Sequence, residues 1–320
     1  MNKEKNAIII ALHDDISEII ELAESLDMKI VHTFIQNREH PDTSTYIGSG
    51  KLEEIKEFIE KGDPKVDLVI VDGELKPSQW FTLEKEFGVT VYDRLRLILM
   101  IFRDRADRKE AKLQVRLAEL HYEKPFVKEL IHRARSGEHP GYMAGGEYQV
   151  DDYYEMIKRQ MRKIKEELDK IRRDRGLRRQ HRHIGGYYLV SLAGYTNAGK
   201  SSLLNLLSSE KVTVDDRLFS TLSTTTRKLL AYKLPVLITD TVGFIQSLPA
   251  WVIDAFHSTL EEIENADVVL LVCDVSDELD TLVMKLQTSL NELMELGVTS
   301  PIIIVLNKID SISKEELRNK

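Results

Sequence analysis

Cysteine is almost missing from this 320-residue chain: Cys273 is the only one. An intrachain disulfide is excluded, and no His/Cys cluster has the spacing of a metal centre. Cys273 sits in the apolar run Val268-Val269-Leu270-Leu271-Val272-Cys273 and reads as a small core residue. Long apolar runs are missing too. None approaches the ~20 residues that span a bilayer, and Met1-Asn2-Lys3-Glu4-Lys5 leads into no signal-type apolar core. The expectation is a cytoplasmic protein with no membrane contact. Excess positive charge is a third absence. The net charge of −8 argues against a surface that is basic throughout, while leaving room for a local basic patch. What is present, 42% hydrophobic and 31% charged residues, suits a soluble globular chain long enough for two domains.

The most informative segment is Gly194-Tyr195-Thr196-Asn197-Ala198-Gly199-Lys200-Ser201. It fits the phosphate-loop pattern G-x-x-x-x-G-K-S/T, with a strand-like apolar run before it (187–193) and a helical run after it (202–207). Glycines let the backbone wrap a phosphate, and the loop N–H groups and helix N-terminus face negative charge. Lys200 is placed to reach the β- and γ-phosphates and the Ser201 hydroxyl to bind Mg²⁺.

Two further motifs follow. Asp240-Thr241-Val242-Gly243 ends the strand-like run from Val236, so Asp240 can hold the Mg²⁺ shell and the Gly243 N–H can meet a γ-phosphate. Asn307-Lys308-Ile309-Asp310 ends the run Pro301 to Leu306, which reads as a buried strand. Asp310 can accept from guanine N1–H and the 2-amino group, the Lys308 stem can cover the base, and adenine would leave Asp310 unpaired. The three motifs together indicate Mg²⁺ with GTP or GDP, not ATP. Between them lies Phe219-Ser220-Thr221-Leu222-Ser223-Thr224-Thr225-Thr226, poor in helix formers. It reads either as a loop whose hydroxyl closes on Mg²⁺ and γ-phosphate or, at Thr224 to Thr226, as an edge strand.

Alternating strand and helix patterns organise residues 1–93 as a parallel α/β subdomain: strands near 6–12, 29–35, 66–71 and 89–92, helices from Ile16, after Gly48-Ser49-Gly50, and over 77–87. Gly48-Ser49-Gly50-Lys51 lacks phosphate-loop flanks and reads as a helix-capping turn. Residues 94–184 are helical. Ala106, Glu110, Leu113, Leu117 and Leu120, then Ile157, Met161, Ile164, Leu168 and Ile171, mark two seams of an antiparallel hairpin around a glycine-rich loop at 136–146. Residues 185–320 read as a Ras-like doubly wound P-loop domain. The chain stops soon after Asp310, so this domain is expected to lack its last strand and to bind nucleotide more weakly than a full one.

Arg172, Arg173, Arg175, Arg178, Arg179 and Arg182, with His181 and His183, concentrate positive charge at the end of the hairpin; Arg133 and Arg135 flank the glycine loop. The segment reads as a phosphate-backbone surface for folded RNA or as a solvated linker. It lacks the interleaved aromatics of a single-strand binder.

With these motifs the chain resembles the HflX family of translational GTPases over nearly its whole length. The resemblance rests also on Ile47-Gly48-Ser49-Gly50-Lys51-Leu52, Glu74-Leu75-Lys76-Pro77, Val91-Tyr92-Asp93-Arg94, Ile101-Phe102-Arg103-Asp104-Arg105-Ala106, Lys112-Leu113-Gln114-Val115-Arg116 and Asp240-Thr241-Val242-Gly243-Phe244-Ile245. It implies a GTPase, here expected to be a monomer, that binds the large ribosomal subunit and its rRNA in ribosome splitting, rescue or assembly. It also selects Thr221 as the Mg²⁺-linked threonine. Two segments depart from the family pattern: Gly141-Tyr142-Met143-Ala144-Gly145-Gly146-Glu147 lacks the usual Arg and Pro, and Ser223-Thr224 replaces the usual Asp-Pro. Phe244 stands where many GTPases carry a water-orienting Gln, so slow intrinsic hydrolysis is expected. Asn197 resembles the phosphate-loop Asn of GTPases that hold K⁺ beside the phosphates. The alternatives are an RNA-modification or assembly factor, for which no catalytic residue is found near the N-terminus, and an RNA-binding adaptor with little hydrolysis.

Overall fold

The computed structural model describes residues 5–135, 147–208, 219, 222, 225–229, 235–245 and 248–320. The chain divides into two compact units, Met1–Asp104 with Glu119–Met161, and Arg105–Ala118 with Arg162–Lys320.

The first unit is built on β1 (Lys5–Ala11), β2 (Met28–Ile35), β3 (Leu68–Val71) and β4 (Thr90–Asp93), all parallel, in the order β2-β1-β3-β4. The helices α1 (Ser17–Glu24), α2 (Ser49–Lys61) and α3 (Pro77–Phe87) make the crossovers. Both faces of β1 are buried. Ile8 and Ile10 pack with Val69, Val71, Leu83 and Phe87, while Ile9 between them is also fully buried. Two-sided burial explains why these strands read as continuous apolar runs. Gly48 is the N-cap of α2, and its N–H donates to Gln36 Oε1 at 2.8 Å, as the capping reading expects.

The helical stretch continues as α4 (Arg94–Arg105), α5 (Lys109–Arg135) and α6 (Glu147–Ile184). Ala106 falls in the break between α4 and α5 and so belongs to neither. A step of four cannot register a three-residue interruption. Pro125 lies inside α5. The two long helices run antiparallel: Glu110 meets Arg175 at 2.5 Å and Tyr153 Oη meets Glu123 at 3.5 Å. Each of α5 and α6 contributes to both compact units.

The second unit carries β5 (Tyr188–Gly194), β6 (Thr225–Lys228), β7 (Val236–Asp240), β8 (Val268–Asp274) and β9 (Ile302–Asn307), in the order β6-β7-β5-β8-β9. All pair in parallel except β6, which runs antiparallel to β7. Thr225 and Thr226 are therefore strand residues, the second of the two readings for that stretch. The helices are α7 (Lys200–Leu207), α8 (Ala250–Glu264), α9 (Leu279–Glu295) and α10 (Lys314–Asn319). Successive residues again serve opposite faces. Ala193, Val269, Leu271 and Cys273 pack with Leu260, Ile263 and Leu293, whereas Leu192 and Val272 pack with Leu204 and Ile238. Cys273 is thus a core residue, and burial raises its thiol pKa.

One expectation is corrected. The run from Pro301 to Leu306 is expected to be a buried strand, yet Ile303, Ile304 and Leu306 are 52%, 49% and 48% exposed. Among the described residues β9 pairs only with β8. An edge position leaves an apolar run uncovered, which sequence pattern alone cannot reveal.

Candidate nucleotide site

The site forms where β5 gives way to α7. The chain passes from β5 to β7 on one side and to β8 on the other, so this loop lies at the topological switch point of the sheet. Gly194 has φ 140°, and a Cβ there would lie 2.3 Å from the Val272 carbonyl oxygen of β8. Only glycine allows that approach. Asn197 (φ 60°) and Gly199 (φ 90°) then turn the backbone through left-handed conformations. A Cβ on Gly199 would come within 2.2 Å of Asn307 Nδ2.

Two cross-links hold the loop. Thr196 N donates to Phe244 O at 2.8 Å, and Phe244 N donates to Gly194 O at 3.0 Å. They tie the phosphate loop to the segment after Asp240. Asn307 Nδ2 donates to Ala198 O at 2.8 Å, tying it to the end of β9. Three motifs far apart in sequence are thereby brought to one place.

Lys200 opens α7 and is buried. Its Nζ donates to Gly194 O at 3.1 Å and Tyr195 O at 2.7 Å. Burial lowers its pKa to about 8, against the pull of Asp240. A desolvated cation inside a curl of backbone is prepared for an anion that would neutralise it. Ser201 Oγ donates to Asp240 Oδ2 at 2.6 Å, and Thr241 N donates to Asp240 Oδ1 at 3.0 Å. Thr241 Oγ1 donates to Leu192 O at 2.8 Å. A buried hydroxyl and carboxylate form a hard oxygen donor set, and Mg²⁺ favours such ligands. Gly243 is packed close: a Cβ would be 2.9 Å from Lys200 Nζ. Val242 and Phe244 are buried beside it, so the Phe244 ring is a core element.

On the base side, Lys308 has φ 58° and its Nζ meets Asp274 Oδ2 at 2.5 Å. Ile309 and Asp310 form part of a 3-10 turn (Ile309–Ser311), with Asp310 exposed. Phe219 and Leu222 are buried, at 3% and 2% exposure. Ser220, Thr221 and Ser223, named from the sequence, lie outside the described residues, as does the glycine-rich loop. The sequence reading missed Asp274 and the tie from Asn307 to the loop. Asp274-Val275-Ser276 is an Asx-turn pattern closing a strand, and that signal was available.

The basic segment is divided. Arg172 pairs with Glu261 of α8, and Arg175 with Glu110 of α5. Arg133 pairs with Glu129 at 2.9 Å and lies over the Phe81 ring. Arg173 is exposed. The side chains of Arg135, Arg178, Arg179, His181, Arg182 and His183 lie outside the described residues. Among the described residues no helix is long and apolar enough to cross a membrane.

Three family models match. They are described as the GTP-binding GTPase N-terminal region (13–103), the GTP-binding GTPase middle region (105–182) and the 50S ribosome-binding GTPase (189–308). Proteins called GTPase HflX are similar along most of the chain. The one from Thermococcus kodakarensis is 47% identical over 95% of this chain and 68% of its own length. The one from Methanocaldococcus jannaschii is 44% identical over 95% and 74%. Among solved structures, a GTP-binding protein from Sulfolobus solfataricus in complex with GDP is 28% identical, with TM-score 0.53, covering 98% of this chain and 86% of that one.

Proposed function

Since the chain belongs to the HflX family of GTPases, we propose that it binds the large ribosomal subunit through rRNA contacts in a GTP-dependent way, and acts in ribosome splitting, rescue or assembly. Binding of GTP and its hydrolysis to GDP and phosphate follow from the family. The observation that carries the site is the buried Lys200 ammonium, which spends its hydrogen bonds on two loop carbonyls beside the Ser201–Asp240 pair. Such an arrangement gains its proper partner when a phosphate enters.

The roles we assign are these. The N–H groups of 194–201 cradle the phosphates, and Lys200 neutralises the β- and γ-phosphoryl oxygens. Ser201 and Thr221 would hold Mg²⁺, with Asp240, the hydrogen-bond partner of Ser201, supporting them. The ion would supply charge neutralisation at the phosphoryl oxygens. The Gly243 N–H meets the γ-phosphate, and the packing around it couples that contact to the loop. Asn307 braces the phosphate loop, Lys308 covers the guanine face and Asp310 reads its edge. Phe219 and Leu222, which flank positions 220 and 221 in the sequence, are buried.

Phe244 has no side-chain donor or acceptor for water and is packed into the core. Intrinsic hydrolysis is therefore slow and depends on an added contribution. One source is K⁺ held at Asn197; equal turnover in KCl and NaCl at one ionic strength would remove it. The other is the ribosome. In functional terms the basic hairpin of 94–184 is the ribosome-facing portion, and 185–320 the switch. Sedimentation with isolated large subunits tests the whole reading. Co-sedimentation with a non-hydrolysable GTP analogue but not with GDP is expected, and equal pelleting in both states would overturn it.

A further inference from the structure

Lys308 adopts a left-handed backbone conformation, φ 58°, that a non-glycine residue enters at a cost of about 1 kcal/mol or more. The conformation ends β9 and sends the next residues into the 3-10 turn carrying Asp310. Something must hold the side chain that leaves this turn. Its ammonium is met by Asp274 at 2.5 Å, on the C-terminal end of the neighbouring strand. Asp274 is directly opposite Asn307 in the β8–β9 register, and Val275 N donates to Asn307 O at 3.1 Å. The carboxylate is itself fixed. Oδ1 accepts from Ser276 N at 2.9 Å and Ser276 Oγ at 2.6 Å, leaving Oδ2 for Lys308. Burial pushes the Asp274 pKa up, but the bonds from Lys308 and Ser276 outweigh it and hold it below the usual range.

We infer that Asp274 is a positioning residue for guanine recognition: by holding the Lys308 ammonium at the end of β8, it lays the aliphatic stem out as a preformed platform for the purine face. This rests on the reading of 307–310 as the base site. The chemistry is economical. The stem needs only to be still to pack against a ring, and the charge that would otherwise wander is anchored away from the base edge read by Asp310. The base then meets an ordered surface, and the cost of ordering a long lysine has already been met in folding.

The test uses the full chain and GDP as the probe. Asp274→Asn keeps an acceptor for Ser276 but removes the charge. Ser276→Ala loosens the turn but keeps the ion pair. Lys308→Met keeps an apolar stem with nothing for Asp274 to hold. Calorimetry should find GDP binding weakened about fivefold in Asp274→Asn, a size suited to a partly buried ion pair. Ser276→Ala should lose about twofold at most. The decisive reading is the double variant. In the Lys308→Met background, adding Asp274→Asn should cost nothing more. Full additivity would mean that Asp274 acts on the fold and not through Lys308, and would overturn the inference. Unchanged GDP affinity in Asp274→Asn would overturn it as well. If the unaltered chain bound GDP and IDP equally, the base-site reading itself would fall, which is a separate result.

Discussion

The two units place the same kind of loop at the same point of a parallel sheet and fill it with opposite chemistry. In each, the first strand is followed by a turn and a helix, and the chain then adds strands on both sides of that first strand. After β5 the turn is glycine-bearing, the helix α7 starts at a buried lysine, and its N-terminal end has no side-chain cap. After β1 the turn is His13-Asp14-Asp15. The N-cap of α1, Ile16, gives no side-chain cap either, but just before it Asp15 Oδ1 accepts from Ser17 N at 3.2 Å and Ser17 Oγ at 2.7 Å, so a carboxylate lies at the start of α1. The buried ionisable groups beside each crevice differ as well. The second unit buries the cation Lys200 next to the carboxylate of Asp240. The first buries Asp72, whose Oδ1 accepts from Arg94 at 2.8 Å, and Asp93, which accepts from Leu75 N, Arg96 N and Tyr122 Oη. Topology offers a crevice; turn residues decide whether an anion can enter it.

The strongest way to break the contrast is to spoil the second loop without touching the first. Gly199→Ala would demand a left-handed alanine whose Cβ sits 2.2 Å from Asn307 Nδ2. Relaxation would push Asn307 off Ala198 O and disturb phosphate and base contacts together. GDP binding measured by calorimetry should fall by about a hundredfold or more, as coupled losses of several hydrogen bonds imply. Melting of the first unit, followed by hydrogen exchange over residues 5–104, should stay unchanged. Retained affinity would show that the loop tolerates a wider path than this geometry allows.

Protons sharpen the comparison next. Lys200 begins with a pKa near 8, depressed by burial. The unliganded loop loses this proton above pH 8, while the phosphate-bound form requires it. GDP affinity should therefore fall about tenfold by pH 9, with proton uptake visible as buffer-dependent binding heats. The first unit behaves oppositely. Burial raises Asp93 from 3.8 to about 6, its backbone and Tyr122 bonds notwithstanding. A raised carboxylate binds its proton more tightly in the folded state. Its stabilisation is present below about pH 4 and is lost as pH rises through 6, amounting to about 2–3 kcal/mol. Urea unfolding of the first unit should show the unaltered chain losing this much relative to Asp93→Asn between those pH values. A pH-independent difference would mean that Asp93 is ionised throughout.

What could be read in the sequence follows the range of each interaction. Lys200, Ser201, Asp240 and Asn307 were legible because each motif is a local string closing an apolar strand. The buried runs of β1, β5 and β8 were legible because strands covered on both faces read as continuous apolar segments. Partners on other elements were not. The arginines of α6 form one basic string, yet Arg172 and Arg175 turn to Glu261 and Glu110, which no local pattern announces. Asp274 was passed over because its partner, Lys308, lies one strand away. The exposure of β9 was invisible for the same reason: apolar composition says that a run seeks cover, not that it has found it.

The smallest effect expected is the most direct test of the opening contrast. Asp15→Ala removes the carboxylate from the start of α1 and leaves the Ser17 N–H without it. Loss of such a side-chain-to-backbone hydrogen bond costs about 1 kcal/mol, readable as a lower urea midpoint for the first unit. The vacated helix end should still bind no phosphate, because α1 lacks what surrounds Lys200. No glycine permits backbone to wrap there, no lysine lies within the turn, and the cation that is near, Arg94, is already paired with Glu18 and Asp72. Phosphate or GDP titrated against residues 13–18 by NMR should leave their shifts unmoved in the variant. Saturable shifts there would show that one carboxylate, and not the whole composition of the turn, is what separates the two crevices.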